Sequence, residues 1–181
     1  TIKLMAGSGC KKISFGIESG SQKILRLIKK GTTVSQVREV FRLCRKYKIA
    51  KIEGSFMIGA HPDEDREDIE LTRKLIFEVR PDILAIFIAV PYPRTELNRI
   101  LKERKFLNNE NWRDFKLFLG NPSWKCCQVP NEELKEISRN IINKYYFNPA
   151  LLINNFAGLR SIEELFYWLR LAFSYVKTRK L

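Results

Sequence analysis

Histidine and cysteine are scarce in this sequence, and they follow no metal-binding pattern. The one histidine is His61, and none of the four cysteines lies at the C-x-x-C spacing of zinc sites and redox motifs. The adjacent pair Cys126-Cys127 fits neither two tetrahedral ligands nor an ordinary disulfide. We therefore predict reduced thiols and a cytoplasmic location, and we assign no catalytic or metal-ligating side chain. The four cysteines are Cys10, Cys44, Cys126 and Cys127.

Long apolar runs, internal repeats and low-complexity segments are also missing. The sequence has no run of about 18 apolar residues and no signal peptide, so we predict no membrane span. It starts at Thr1 instead of a methionine and soon reaches Gly7-Ser8-Gly9, which predicts a chain that begins inside a domain. Its 181 residues are too few for a full eight-unit α/β barrel of about 250 residues.

Basic residues outnumber acidic ones, 33 against 20, so that the net charge is +13. A surplus of this size suggests a polyanionic partner such as nucleic acid. Most of the basic residues, however, lie at helical spacing in amphipathic stretches, where a solvated helix face explains them. A non-catalytic basic α/β module that binds nucleic acid therefore stays open as an alternative function.

Three short segments rich in β-branched and aromatic residues predict strands at 12–17, 52–58 and 83–90. Amphipathic spacing predicts helices at 34–47 and 66–79 between them, with Thr33 or Thr32 as the N-cap of the first. Connections of this length that carry one helix each imply parallel strands joined by right-handed crossovers. The third strand is apolar throughout, which predicts that it is buried on both faces.

Polar or Gly- and Pro-rich segments follow each predicted strand, at 18–21, 59–64 and 91–96. In parallel sheets and barrels, ligands bind at the carboxyl ends of the strands. A helix N-terminus follows each segment and offers backbone N–H groups to anionic or hydroxyl groups. The simpler explanation of any single segment is a cap or a turn, as for Ser19 or Ser21, but the three together predict a binding site.

The last part of the sequence changes character. A helix is predicted at 95–107, followed by an irregular, aromatic-rich connector at 108–130. Two longer helices are predicted at 131–147 and 161–177, with a short apolar helix at 150–156 between them.

Short strings at the strand ends and near the C-terminus suggest a family. They are Gly16-Ile17-Glu18-Ser19-Gly20-Ser21, Phe56-Met57-Ile58-Gly59 with Pro62 and Glu64, Pro91-Tyr92-Pro93 with Thr95-Glu96-Leu97, and Lys144-Tyr145-Tyr146-Phe147-Asn148-Pro149. In this order and spacing they resemble the later half of a radical S-adenosylmethionine (radical SAM) core. More narrowly, they are similar to the subgroup that often carries an N-terminal cobalamin-binding domain.

The resemblance implies an α/β fold: the C-terminal half of a partial, six-unit parallel α/β barrel at 1–107, with three strand-helix units. A connector and a helical C-terminal region follow at 108–181. It also implies a 4Fe-4S cluster and S-adenosylmethionine, which is cleaved reductively to a 5′-deoxyadenosyl radical. The family's C-x-x-x-C-x-x-C cluster loop is missing from the sequence, so we expect the cluster ligands upstream of Thr1. The chain is then an inactive fragment of a larger enzyme of the oxidoreductase or methyl/methylthiotransferase type.

Two groups of residues match family positions that bind S-adenosylmethionine. Glu18 and Ser19, with Gly16, match a strand end that meets the ribose or the amino-acid part of the cofactor. A carboxylate there can accept hydrogen bonds from both ribose hydroxyls or pair with an ammonium group. Ile58 and Gly59 match the segment that packs on adenine, where glycine allows close approach.

The third group, Pro91 and Tyr92, matches the last strand end, which shapes the adenine and substrate side of the pocket. This sequence departs from the usual motifs nearby: the loop after Gly59 is one residue longer before its proline, and Arg94 replaces a glycine. The substrate is not determined by the sequence, and the resemblance allows cobalamin without requiring it. An unpaired barrel edge predicts self-association of the chain.

Overall fold

The computed structural model describes residues 1–107, 115 and 124–148. The chain divides into two compact units, Thr1–Ile142 and Asn143–Leu181. Residues 143–148 are the described part of the second unit, and there the backbone N–H of Phe147 donates to the carbonyl of Asn143 at 2.9 Å. The division expected between 107 and 108 stays a prediction.

The described residues form six helices and three strands. Their bounds are α1 Ile2–Gly7, β1 Lys12–Glu18, α2 Gln22–Leu27, α3 Val34–Lys46, β2 Lys51–Ile58, α4 Arg66–Val79, β3 Ile83–Ile88, α5 Glu96–Glu103 and α6 Asn131–Tyr146. The prediction of a single helix between β1 and β2 is therefore wrong, because Ser21 caps the additional short helix α2. None of these helices is long and apolar enough to cross a membrane. The helices predicted at 150–156 and 161–177, and most of the connector at 108–130, lie outside the described residues.

The three strands form one parallel sheet in the order β1-β2-β3, which confirms the predicted parallel pairing. The register sets Ser14 beside Glu53 and Gly16 beside Ser55 on adjacent strands. It also sets Ser55 beside Ala85. A sheet of three strands does not test the six-unit barrel, which stays a prediction.

One face of the sheet belongs to the core. β1 and β2 alternate between buried and more exposed residues, as expected for a sheet whose two faces differ. The core face carries apolar side chains, and α3 and α4 supply further buried ones. The fully buried members are Ile52, Phe56, Ile58, Phe41, Leu75 and Ile76.

The opposite face, here called the open face, presents Ser14, Gly16, Glu53 and Ser55, all exposed or half-buried. The same holds for the residues of β3 that alternate with buried Leu84. The prediction that β3 is buried on both faces is therefore wrong within the described part of the chain, because no described element covers this face.

Side-chain caps determine the residues at which three of the helices begin. Thr33 accepts a hydrogen bond from the backbone N–H of Gln36 and forms a capping box that starts α3, as predicted. Asp65 and Asp68 form an equivalent box at the start of α4, and Thr95 caps α5. These caps hold each helix N-terminus beside the carboxyl end of the preceding strand.

Candidate functional site

The backbone at the end of β1 turns Glu18 onto the open face. A bulge between Gly16 and Glu18 shifts the pairing with β2, and Glu18 adopts a left-handed backbone with φ 70°. A non-glycine residue held in this region carries strain of order 1 kcal/mol or more. Bulges commonly re-aim a side chain beside a binding site.

Three polar groups gather over Gly16, which has no side chain of its own. A Cβ built there would lie 3.0 Å from Oε1 of Glu18, 3.3 Å from Nζ of Lys30 and 3.9 Å from Oγ of Ser55. Glu18 and Lys30 form an ion pair at 3.0 Å, and their side chains are 23% and 30% exposed. We call Gly16, Glu18, Lys30 and Ser55 the cradle, a partly exposed cluster that presents an acceptor and a donor.

Ser19, which the sequence predicts beside Glu18, points into the protein. It is fully buried, and its Oγ lies 3.1 Å from Oγ1 of Thr72 and accepts from the backbone N–H of Ser21 at 3.0 Å. The backbone N–H of Gly20 also donates to Thr72, at 2.9 Å. The structure therefore brings Gly16 and Glu18 together on the open face and gives the Ser19 hydroxyl partners inside the protein.

Like Ser19 and Gly20, Ser21 attaches the turn after β1 to a residue of α4. Its hydroxyl donates to Asp68 at 2.7 Å and accepts from the backbone N–H of Ile24, so it caps α2. Lys23 pairs with the same carboxylate at 2.5 Å, and the hydrogen bond to Asp68 raises the pKa of Lys23. The turn that carries Glu18 is thus fixed to the first turns of α4.

Ile58 and Gly59 end β2 under the C-terminal part of the first unit. Ile58 is fully buried. Gly59 has φ 71°, and a Cβ there would lie 2.8 Å from Cβ of Cys126 and 3.2 Å from Cδ1 of Leu134. Glycine is required at this position by the backbone and by this contact, whereas the approach of adenine stays a prediction.

Glu64 closes the loop that follows Gly59. Its carboxylate is fully buried and accepts from the backbone N–H of Ala60 at 2.7 Å, and its carbonyl accepts from Gln128 at 3.0 Å. The other carboxylate oxygen, Oε1, has no hydrogen-bond partner. Burial raises the pKa of Glu64 to about 7.

His61 belongs to the same loop. Its Nδ1 accepts from the backbone N–H of Asp63 at 3.1 Å, and burial lowers the pKa of its imidazole. Within 1–107, 115 and 124–148, no group of three or more His, Cys, Asp or Glu side chains is placed to share a metal ion.

Cys126 and Cys127 are buried thiols. Cys126 accepts from the indole N–H of Trp124 at 3.1 Å and donates to the carbonyl of Ala89 at 3.5 Å. Burial raises the pKa of Cys126 to about 12 and that of Cys127 to about 11. These thiols are therefore protonated near neutral pH, which disfavours metal ligation.

The segment after β3 contributes one buried and one exposed residue. Pro91 is buried, and its carbonyl accepts from the side chain of Asn98 at 3.0 Å. Tyr92 is 39% exposed, and its ring lies 6.2 Å from that of Phe115. Tyr92 is therefore accessible to a ligand, as its predicted role requires.

Sequence reasoning missed Lys30 and Ser55 of the cradle. Lys30 lies twelve residues after Glu18, in a basic stretch that reads as a solvated surface. Ser55 has the spacing of an open-face residue on β2 but no distinctive motif. Strand pairing places Ser55 beside Gly16, and the ion pair with Glu18 brings Lys30 to the same place.

Several known proteins are similar to this chain in amino-acid sequence. A model described as the Radical SAM superfamily matches residues 1–76. An uncharacterized methyltransferase of Pyrococcus horikoshii is 33% identical over 153 residues, which cover 84% of this chain and 32% of the relative. The anaerobic magnesium-protoporphyrin IX monomethyl ester cyclase of Cereibacter sphaeroides is 27% identical over 150 residues, 83% of this chain and 24% of the relative.

A shorter match covers the sheet region. The tRNA-2-methylthio-N(6)-dimethylallyladenosine synthase of Yersinia enterocolitica is 35% identical over 80 residues, 44% of this chain and 17% of the relative. The chain thus spans a third or less of the length of these curated relatives.

Proposed function

The chain belongs to the radical SAM superfamily, and from this premise we propose that it supplies part of the S-adenosylmethionine pocket of a radical enzyme. The observation that carries the proposal is the cradle at the carboxyl end of β1. The names of two relatives refer to a methyltransferase and a methylthio-adenosine synthase, and they support an enzyme of the methyl- or methylthiotransferase type. The six-unit barrel and the cobalamin-binding subgroup are part of this proposal.

The residues of the cradle fit the polar groups of S-adenosylmethionine. The carboxylate of Glu18 can accept from two ribose hydroxyls or from the ammonium group of the methionine part. The ammonium group of Lys30 can pair with the methionine carboxylate. Gly16 leaves open the space that a Cβ would fill, and Ser55 adds a hydroxyl.

When S-adenosylmethionine is bound and reduced by a 4Fe-4S cluster, it supplies a 5′-deoxyadenosyl radical. The residues of this chain would bind and orient it. Glu18 and Lys30 would hold the polar end, and Tyr92 would border the substrate side. Ile58 is fully buried and Gly59 faces Cys126, so their predicted contact with adenine would need a rearrangement of this segment.

The cysteines of this chain do not fit the cluster. Cys10 and Cys44 are distant in sequence from the adjacent pair, and Cys126 and Cys127 are buried with pKa values raised to about 12 and 11. We therefore propose that the cluster ligands belong to sequence outside this chain, and that the chain alone is inactive.

The test uses a polypeptide that carries this chain together with a C-x-x-x-C-x-x-C loop, loaded with iron and sulfide without oxygen. Reduction should release 5′-deoxyadenosine from S-adenosylmethionine. Glu18→Gln and Lys30→Met should each weaken binding of S-adenosylmethionine by roughly tenfold to a hundredfold, because each removes a charge-assisted hydrogen bond worth about 1.5 to 3 kcal/mol.

Glu136→Gln is the matched control, since Glu136 is an exposed residue of α6. It should bind S-adenosylmethionine as the parent does. If the loaded polypeptide neither binds nor cleaves S-adenosylmethionine, or if all three variants behave alike, the proposal is wrong.

The alternative of a non-catalytic nucleic-acid-binding module receives no support from the relatives, whose names denote enzymes.

A further inference from the structure

Arginine and lysine play different parts in this chain. Many of the arginines are paired with carboxylates, so their charge is largely cancelled at the surface. Paired arginines include Arg38, Arg42, Arg66, Arg73, Arg99 and Arg104. Some lysines are paired as well, among them Lys23 and Lys30, so a positive surface is expected where several other lysines lie close together.

Lysines gather where the strands begin, at the edge of the sheet opposite to the cradle. Parallel pairing sets Lys12 beside Lys51, and the backbone N–H of Lys51 donates to the carbonyl of Lys11 at 2.9 Å. Because neighbouring strands lie about 4.8 Å apart, these three residues occupy a small area.

The C-terminal turn of α3 brings more cations to this edge. Arg45 donates to the carbonyl of Val79 at 2.8 Å and also to that of Arg80, which holds the ends of α3 and α4 side by side. Lys46 and Lys48 follow Arg45 and are exposed. We call this surface the basic edge: Lys11, Lys12, Arg45, Lys46, Lys48 and Lys51.

The acidic residues near the basic edge are already engaged. Glu53 accepts from Lys12 at 2.7 Å and from Ser14 at 2.8 Å. Asp82 accepts from the backbone N–H of Ile52 at 2.8 Å. Glu39 also attracts Lys46, but it is already hydrogen-bonded to Arg42. The basic edge therefore carries more cations than these carboxylates can balance.

Two of these cations, Lys11 and Lys48, have no structural task within the described residues that would explain them. Cations near helix C-termini often serve the helix carbonyls, and Arg45 does so. The ammonium groups of Lys11, Lys46 and Lys48 make no hydrogen bond or ion pair within the described residues. Lys46 lies 5.7 Å from the ring centroid of Tyr47.

We propose that the basic edge binds the phosphate backbone of a single-stranded nucleic acid. Clustered lysines bind phosphates by charge without reading sequence. The ring of Tyr47 is half-buried and Lys46 lies over it, so a base could stack there if a phosphate drew Lys46 away. A lipid surface fits less well, because none of the exposed large apolar side chains among the described residues belongs to the segments that carry the basic edge.

The test measures binding of a fluorescein-labelled single-stranded RNA, and of DNA of the same sequence, to the 181-residue chain over a salt series. Lys11→Gln, Lys46→Gln and Lys48→Gln are combined in one variant. Three lost phosphate contacts should make the slope of log affinity against log salt less steep by about 2, and should weaken binding roughly a hundredfold at about 0.1 M salt.

The control combines Lys29→Gln, Lys74→Gln and Lys105→Gln, three exposed lysines outside the basic edge. It makes the same change in net charge, and Lys105 matches Lys48 in its left-handed backbone. The control should bind either strand as the parent does, and thermal unfolding followed by circular dichroism should show both variants folded.

The proposal is overturned if the parent binds neither strand, or if both triple variants lose affinity equally. It is also overturned if the chain binds phosphatidylserine vesicles through the same lysines and leaves RNA and DNA free. None of these outcomes depends on S-adenosylmethionine, so they leave the proposed function untouched.

Discussion

At the scale of single residues, Glu64 makes the stability of the chain sensitive to pH. Its carboxyl is fully buried, and Oε1 has no hydrogen-bond partner. Burial therefore disfavours the charged form and raises the pKa from 4.5 to about 7. The nearby carboxylate of Asp68 also raises this pKa, whereas the backbone N–H of Ala60 partly offsets the shift.

The sign of the pH effect follows from this shift. The carboxyl of Glu64 binds its proton more tightly in the folded chain than in the unfolded chain, so its protonation stabilises the fold. This contribution to the free energy of unfolding is present in full below pH 4.5 and is lost as the pH rises through 7. We expect Glu64→Gln, which cannot ionise, to gain stability relative to the parent between pH 5 and pH 8 by up to about 3 kcal/mol. Urea unfolding at both pH values measures the difference.

Glu136→Gln serves as the comparison, because the side chain of Glu136 is exposed. It should follow the parent at both pH values. An equal gain at pH 8 for the two variants would contradict the assignment of the effect to Glu64.

At the scale of elements, the turn between β1 and α2 depends on α4. Thr72 contacts both Ser19 and the backbone N–H of Gly20, and it also donates to the carbonyl of Asp68 at 3.1 Å. The position of Glu18 on the open face is therefore coupled to a helix that lies more than forty residues further along the chain.

Thr72→Val tests this coupling. Valine keeps the shape of threonine but removes the partner of the Gly20 N–H and one of the two partners of the Ser19 hydroxyl, so we expect a loss of about 1 to 3 kcal/mol in the free energy of unfolding. Chemical denaturation measures it. Thr32→Val, at an exposed loop position, should change the stability by less than about 0.5 kcal/mol, and a similar loss in both variants would refute the coupling.

At the scale of the whole molecule, the sheet has open borders. β1 and β3 are the outer strands of the sheet formed by the described residues, and the open face has no described cover. Unpaired strand edges promote association between chains.

We therefore predict that the 181-residue chain self-associates in a concentration-dependent way. Sedimentation velocity between about 5 and 200 μM should show a rising average mass, as expected when chains pair edge to edge. A mass that stays at 21.3 kDa throughout this range would show that the edges are not available for pairing.

Much of the fold could be predicted because its signals are local. Apolar periodicity gave α4 at 66–79, the same bounds as in the structure, and Thr33 was identifiable as a cap. β3 ends at Ile88, two residues earlier than its apolar run suggests, since strand ends depend on pairing with β2. The position of the Glu18 side chain on the open face could not be predicted from a local sequence pattern, because a bulge and a left-handed backbone produce it.

By itself, the sequence determined the three strands, the helices α3 and α4 between them, the parallel pairing and the strand-end motifs of the radical SAM superfamily, because periodicity, caps and motif order are encoded over short stretches. The short helix α2 was not predicted as a separate helix. Tertiary structure alone decided which polar groups meet. It joined Lys30 and Ser55 to Glu18, turned Ser19 inward against Thr72, and gathered the lysines at one edge. Such encounters depend on strand register and helix packing, which bring together residues that are distant in the sequence.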